Sequence, residues 1–182
     1  SLRFATACGM SDRLRLDLVL NDFVASAILN KSITLLSDGS AWRPLINVKD
    51  MARAIEWAII RNENAQSPYL AVNIGASDWN FTIKQLAEAV QKKVLGCDIN
   101  FDPKAIRDNR SYRVNFDLFK NLAPNHQPLS TVEGTIEELI SGVTKIRHLI
   151  GKNFRSSDFM RLNMLEAHLK ANRLSNDLRW IS

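Results

Sequence analysis

A chain of 182 residues with 46% hydrophobic side chains has enough apolar material for one substantial domain, or for one domain and part of another. Its 24 basic against 19 acidic residues leave a net charge of +5, which points to an anionic partner without choosing between nucleic acid, acidic lipid and a phosphate-bearing small molecule. Cys8 and Cys97 have no paired spacing, no apolar run reaches membrane-spanning length and the first residues lack a secretory layout, so a disulfide framework, a zinc site and a membrane span are set aside and a soluble, cytoplasmic protein with no membrane partner is expected.

Leu2 to Ala7 reads as a short strand that starts with no turn or cap before it, as a chain begun inside a larger fold does. Leu18, Val19, Phe23, Val24, Ala27 and Ile28 then recur at helical spacing up to a stop at Asn30-Lys31-Ser32, followed by a strand over Ile33–Leu36. After the turn Ser37-Asp38-Gly39-Ser40, Leu45–Val48 makes a second strand. Asp50 is placed as N-cap of a helix whose inner face is Met51, Ala54, Ile55, Ala58 and Ile59.

Residues 62–68 read as a loop and Tyr69–Ile74 as an apolar strand ended by Gly75. Thr82 and Gln85 have capping-box spacing ahead of a helix carrying Leu86, Val90 and Val94. Short strands are expected around Asp98–Phe101 and Tyr112–Phe116, with a charged loop between them. A helix from Ser130, again at capping-box spacing with Glu133, runs to about Ile150, and a last one covers Ser157–Lys170 with Phe159, Leu162, Leu165 and Leu169 on one face. Strand and helix alternate over the first half, which predicts an α/β architecture with no internal repeat or linker.

The usual catalytic patterns are missing. His126, His148 and His168 stand in three segments without metal-ligand spacing, and Glu137 and Glu138 are adjacent on a helix and point apart. No serine sits in a GxSxG elbow, and all seven glycines are isolated, so none forms a phosphate-cradling loop. The basic residues are scattered, with aromatic interleaving only at the extreme C-terminus, which makes RNA binding a minor alternative.

Arg43 is the exception. It either ties down Asp38 or Asp50, or captures phosphate oxygens with a guanidinium fork fixed between a glycine turn and Pro44. Its surroundings favour phosphate capture.

Four ordered pieces, "LRFATACG", "RLRLDLVLNDFVASAI", "DGSAWRPLINVKDMARAI" and "YLAVNIGASDWNFTIKQLAEAV", continued by "DNRSYRVNF" and "TVEGTIEELI", carry a wider likeness. In them the sequence resembles the C-terminal half of the extended short-chain dehydrogenase/reductase family, the NAD-dependent sugar-nucleotide epimerases and dehydratases. The resemblance implies the remnant of the C-terminal part of a Rossmann-type sheet, about residues 1–9 and 48–75, plus the smaller mixed α/β substrate-binding domain, about 10–47 and 76–182.

It also implies site residues. Arg43 matches the family's diphosphate-binding arginine, and Asn21 the asparagine at the start of the helix over the substrate diphosphate, with Asp22 and Phe23 on the same wall. Arg110, ahead of Arg107, matches the late arginine at the nucleotide end, because Ser111-Tyr112 begins a strand that would aim it. Thr6 stands where many members carry an asparagine near the substrate, and Asn47 replaces the histidine of the "HVxD" signature.

The family's glycine-rich loop and Tyr-x-x-x-Lys pair are absent from these 182 residues, so the chain alone is expected to be inactive, with no catalytic residue of its own. The expectation is the substrate-binding part of an NAD-dependent nucleotide-diphosphate-sugar enzyme, in surface-polysaccharide synthesis, with NAD bound mainly by an upstream half. Exposed apolar edges would be covered by a second copy or by that half. The rival is a truncated, non-catalytic ligand- or partner-binding module.

Overall fold

The computed structural model describes residues 1–61, 69–102 and 110–181. The strands are β1 (Leu2–Phe4), β2 (Thr6–Cys8), β3 (Ser32–Leu35), β4 (Trp42–Asn47), β5 (Val72–Ile74), β6 (Asn80–Thr82) and β7 (Asp98–Phe101). The helices are α1 (Val19–Asn30), α2 (Val48–Ile60), α3 (Ile83–Lys93), α4 (Asp117–Leu122), α5 (Val132–Ile150) and α6 (Arg161–Lys170). None of the described helices is long and apolar enough to cross a membrane. The loop expected over 62–68 lies outside the described residues.

The single strand expected over Leu2–Ala7 divides at Ala5 and serves two sheets. β1 runs parallel to β5, Leu2 opposite Val72, whereas β2 runs parallel to β4, Thr6 opposite Leu45. β6 adds antiparallel to β4, Arg43 opposite Phe81, and β3 pairs in parallel with β7, Ser32 opposite Asp98. Parallel pairs need long crossovers, and the helices supply them.

α1 is buried on most of its circumference, Leu20, Phe23, Val24 and Ala27 together with the polar Asn21 and Ser26, because it lies between α3 and α5. It ends where expected: Lys31 takes the left-handed conformation and returns its N–H to Ala27 O at 3.2 Å. The Thr82–Gln85 capping box forms as expected, Gln85 N–H reaching the Thr82 hydroxyl at 3.1 Å and Thr82 N–H reaching Gln85 Oε1 at 2.8 Å.

Two helix starts differ from expectation. The N-cap of α2 is Asn47, whose Oδ1 accepts the Lys49 N–H at 2.9 Å, and Asp50 lies in the first turn, 2% exposed and turned inward. The cap of α5 is Thr131, which accepts from Gly134 N at 3.1 Å, one residue beyond Ser130.

Among the described residues the expected strand Tyr112–Phe116 belongs to no ladder. Its partner is a side chain: Asn80 accepts the Val114 N–H at 2.9 Å and donates to Val114 O at 3.1 Å, so an amide stands in for a neighbouring strand. The last helix begins at Arg161, not Ser157, because the Ser157 hydroxyl bonds back to Phe154 O at 2.6 Å and holds a turn. None of its residues is buried, and Leu162 is exposed.

Among the described residues the apolar interior falls into two clusters. The larger gathers α1, α3 and α5 around Leu20, Val24, Leu86, Ile136 and Leu139. The smaller joins Ile46, Ala54, Trp57, Val72 and Ile74 to Phe116 and Phe119, with Trp57 edge-on to Phe119 at 5.6 Å.

Candidate functional site

Between the N-terminal turn of α1, the end of β3 and the start of β4 lies a cleft of about 630 Å³. Four of the six expected substrate residues line it: Asp22, Phe23, Arg43 and Arg110. Asn21 and Thr6 do not, and Arg107 lies outside the described residues.

Arg43 is the second residue of β4, and Pro44 after it fixes the backbone of the strand's buried half. Its Nη1 donates to Trp42 O at 2.8 Å and to the Arg110 carbonyl, and its guanidinium carbon lies 5.6 Å from the Tyr112 ring centre. The Trp42 N–H meets the Ser111 hydroxyl at 3.0 Å, Tyr112 N–H meets Trp42 O at 3.3 Å, and Arg113 lies over the Trp42 ring at 4.5 Å. The segment carrying Arg110 is therefore held to β4 by Ser111, Tyr112 and the two arginine–aromatic contacts, not by a strand of its own.

Asn21 is turned the other way. Its Oδ1 accepts the Gly9 N–H at 3.0 Å and its Nδ2 donates to Arg15 O at 2.9 Å, so both ends of the amide are used to fold residues 9–15 over α1. Gly9 has a left-handed φ of 104°, and a Cβ there would stand 2.9 Å from Asn47 Nδ2, itself bonded to the Thr135 hydroxyl at 2.9 Å. Gly9 is thus wedged between two asparagines. Thr6 is half-buried within β2.

The residue that sequence reasoning missed is Arg155. It clasps Asp22 with a two-pronged ion pair, Nε to Oδ1 at 3.0 Å and Nη2 to Oδ2 at 2.8 Å, and reaches the Ser26 hydroxyl at 3.3 Å. Burial raises the Asp22 carboxyl above its ordinary range, against the downward pull of this arginine. Asp17, on the cleft's rim, is held below its ordinary range by the hydrogen bond from Arg15. No local spacing signals the clasp, because its partners are 133 positions apart.

Chemically, the cleft's lining offers three arginines, Arg43, Arg110 and Arg155, together with the apolar side chains of Phe23, Leu35 and Ile83. Such a lining suits an elongated anion with an apolar or planar portion. Among the described residues no group of three or more His, Cys, Asp or Glu could hold a metal ion.

The order of these pieces along the chain is shared with proteins already known. Residues 1–75 match the model of the NAD dependent epimerase/dehydratase family. Over those residues the likeness seen in the sequence is borne out, and the α/β fold is similar to the Rossmann-like one of the following solved structures. The dTDP-glucose 4,6-dehydratase of Bacillus anthracis, in complex with NAD, is 20% identical at a TM-score of 0.65, over 84% of this chain and 46% of that one. The UDP-glucuronic acid 4-epimerase of Bacillus cereus, in complex with UDP-glucuronic acid and NAD, is 17% identical at 0.64, over 80% and 45%. The L-threonine dehydrogenase of Phytophthora infestans is 16% identical at 0.64, over 80% and 48%. The chain spans a little under half the length of these structures.

Proposed function

We propose that this chain supplies the nucleotide-diphosphate-sugar-binding part of an NAD-dependent epimerase/dehydratase. The observation that carries this is the meeting of Arg43 and Arg110, 67 positions apart, at one cleft beside Asp22 and Phe23. Two guanidinium groups in a half-enclosed site suit the paired phosphates of a nucleotide sugar better than a neutral ligand. The dehydratase and the 4-epimerase among the similar structures support a sugar substrate, and the threonine dehydrogenase marks the alternative that the fold also accommodates.

NAD is the cofactor of this reading. The chain's seven glycines stand apart, so its own residues do not form the glycine cradle that a dinucleotide pyrophosphate rests on, and no Tyr-x-x-x-Lys pair is present. Binding and orienting the sugar nucleotide is therefore the role assigned to these residues, with hydride transfer and acid–base work supplied by other residues of the enzyme. The setting we assign is synthesis of surface polysaccharide.

Calorimetric titration with UDP-glucose, dTDP-glucose, GDP-mannose and L-threonine tests the reading. Binding of a nucleotide sugar that is lost in Arg43→Ala supports it; heat from threonine alone overturns it.

A further inference from the structure

We propose that Arg155, held in place by Asp22, is a third cation of the cleft and makes it select ligands with two phosphates over ligands with one. The inference rests on the diphosphate reading of the cleft and adds a residue to it.

Asp22 creates the need. Its side chain is 18% exposed and shares the cleft with Arg43 and Arg110. A bare carboxylate in so enclosed a place repels phosphate and lessens the effect of both arginines. Asp17, the other carboxylate of the lining, is already paired by Arg15, so Asp22 is the charge that Arg155 offsets: without it Asp22 would stand uncompensated beside Arg43 and Arg110.

Arg155 also has capacity left over. Its Nε and Nη2 are taken by Asp22 and Ser26, while Nη1 has no hydrogen-bond acceptor among the described residues, and the side chain is 46% exposed where it lines the cleft. The group is braced from behind. Its guanidinium carbon lies 5.1 Å from the ring of the buried Phe154, and its backbone carbonyl accepts from Asn163 Nδ2 at 2.9 Å. A fork already fixed by one carboxylate loses little freedom when its last nitrogen meets an anion. Arg155 is tied to α1 through Asp22 and Ser26, whereas Arg43 belongs to β4 and bonds the Arg110 carbonyl, so the cations reach the cleft from different elements, an arrangement that suits a ligand with more than one phosphate.

The experiment measures the affinities of ADP, GDP, UDP and dTDP and of the four matching monophosphates, on the wild-type protein and on Arg155→Gln, Arg155→Lys and Arg155→Gln/Asp22→Asn. Circular dichroism melting of each variant reports the fold separately. The expected result is a preference for diphosphate over monophosphate that falls about tenfold in Arg155→Gln. Arg155→Lys falls less, since it keeps the charge, and Asp22→Asn restores part of the loss. A wild-type preference retained undiminished in Arg155→Gln and in Arg155→Lys overturns this inference and leaves the diphosphate reading standing. A wild-type protein that binds none of the eight nucleotides overturns both.

Discussion

Asp50 Oδ1 accepts the backbone N–H of Leu129, 79 positions away, at 2.9 Å, and Oδ2 accepts that of Ser130 at 3.2 Å. One buried carboxylate thereby ties the first turn of α2 to the chain entering α5. Asp50→Ala leaves two donors without their acceptor and is expected to lower stability by about 2–3 kcal/mol, with Asp50→Asn losing less. Urea unfolding reads this as a lower midpoint at unchanged slope, and an unshifted midpoint would mean that the tie contributes nothing to stability.

Cys8 gives a pH dependence of known sign. Burial first, and the nearby Asp50 second, push its thiol up from 9.0 to about 12. The unfolded chain gives up this proton near 9.0 and the folded chain only near 12, so the thiol's contribution is complete below 9.0 and is lost as pH rises through that window. The loss is about 1.4 kcal/mol per pH unit. Unfolding midpoints of wild type and Cys8→Ala between about pH 8 and 11 should converge as pH rises; parallel curves would contradict the shift.

Gly75 follows β5 and faces the Phe116 ring, where a Cβ would lie 2.7 Å from two ring carbons. Phe116 is buried among Ile74 and Phe119 and has little room to withdraw. Gly75→Ala should therefore destabilise by about 1–3 kcal/mol. In a double-mutant cycle Phe116→Leu should be less harmful in the Gly75→Ala background than in the wild type, and strict additivity would mean the two side chains do not collide.

For Arg43 the expected outcome is loss of about 2–4 kcal/mol of nucleotide-sugar affinity on change to alanine, because a charge-assisted fork to the ligand goes. Arg43→Lys should recover less than half, since a point charge cannot reproduce two parallel bonds. Titration at about 50 and 300 mM salt checks this: the alanine variant should show the weaker salt dependence. Equal affinities for wild type and Arg43→Ala would detach this residue from the ligand.

What the sequence disclosed and what it withheld divide along a physical line. Thr82–Gln85, the Lys31 stop and the Asp98–Phe101 strand were legible because each rests on contacts within a few residues or on a short apolar pattern. An aspartate ahead of a helix usually caps it, but Asn47 caps α2 three residues before Asp50 and frees Asp50 for a distant task. Tyr112–Phe116 has strand composition, yet what it pairs with is the Asn80 side chain, which no periodicity announces. Likewise the resemblance picked out Arg43 and Arg110, whereas Arg155 depends on a fold that brings residue 155 to residue 22.

The split of the first strand at Ala5 also governs the order in which the protein can assemble. Among the described residues β1 pairs with Val72–Ile74 and β2 with Leu45–Asn47, both far along the chain. At synthesis rates of about 5–20 residues per second, Leu2–Phe4 waits roughly 3–14 s for its partner. Closure of the β1–β5 pair is therefore a late, long-range step in biosynthesis.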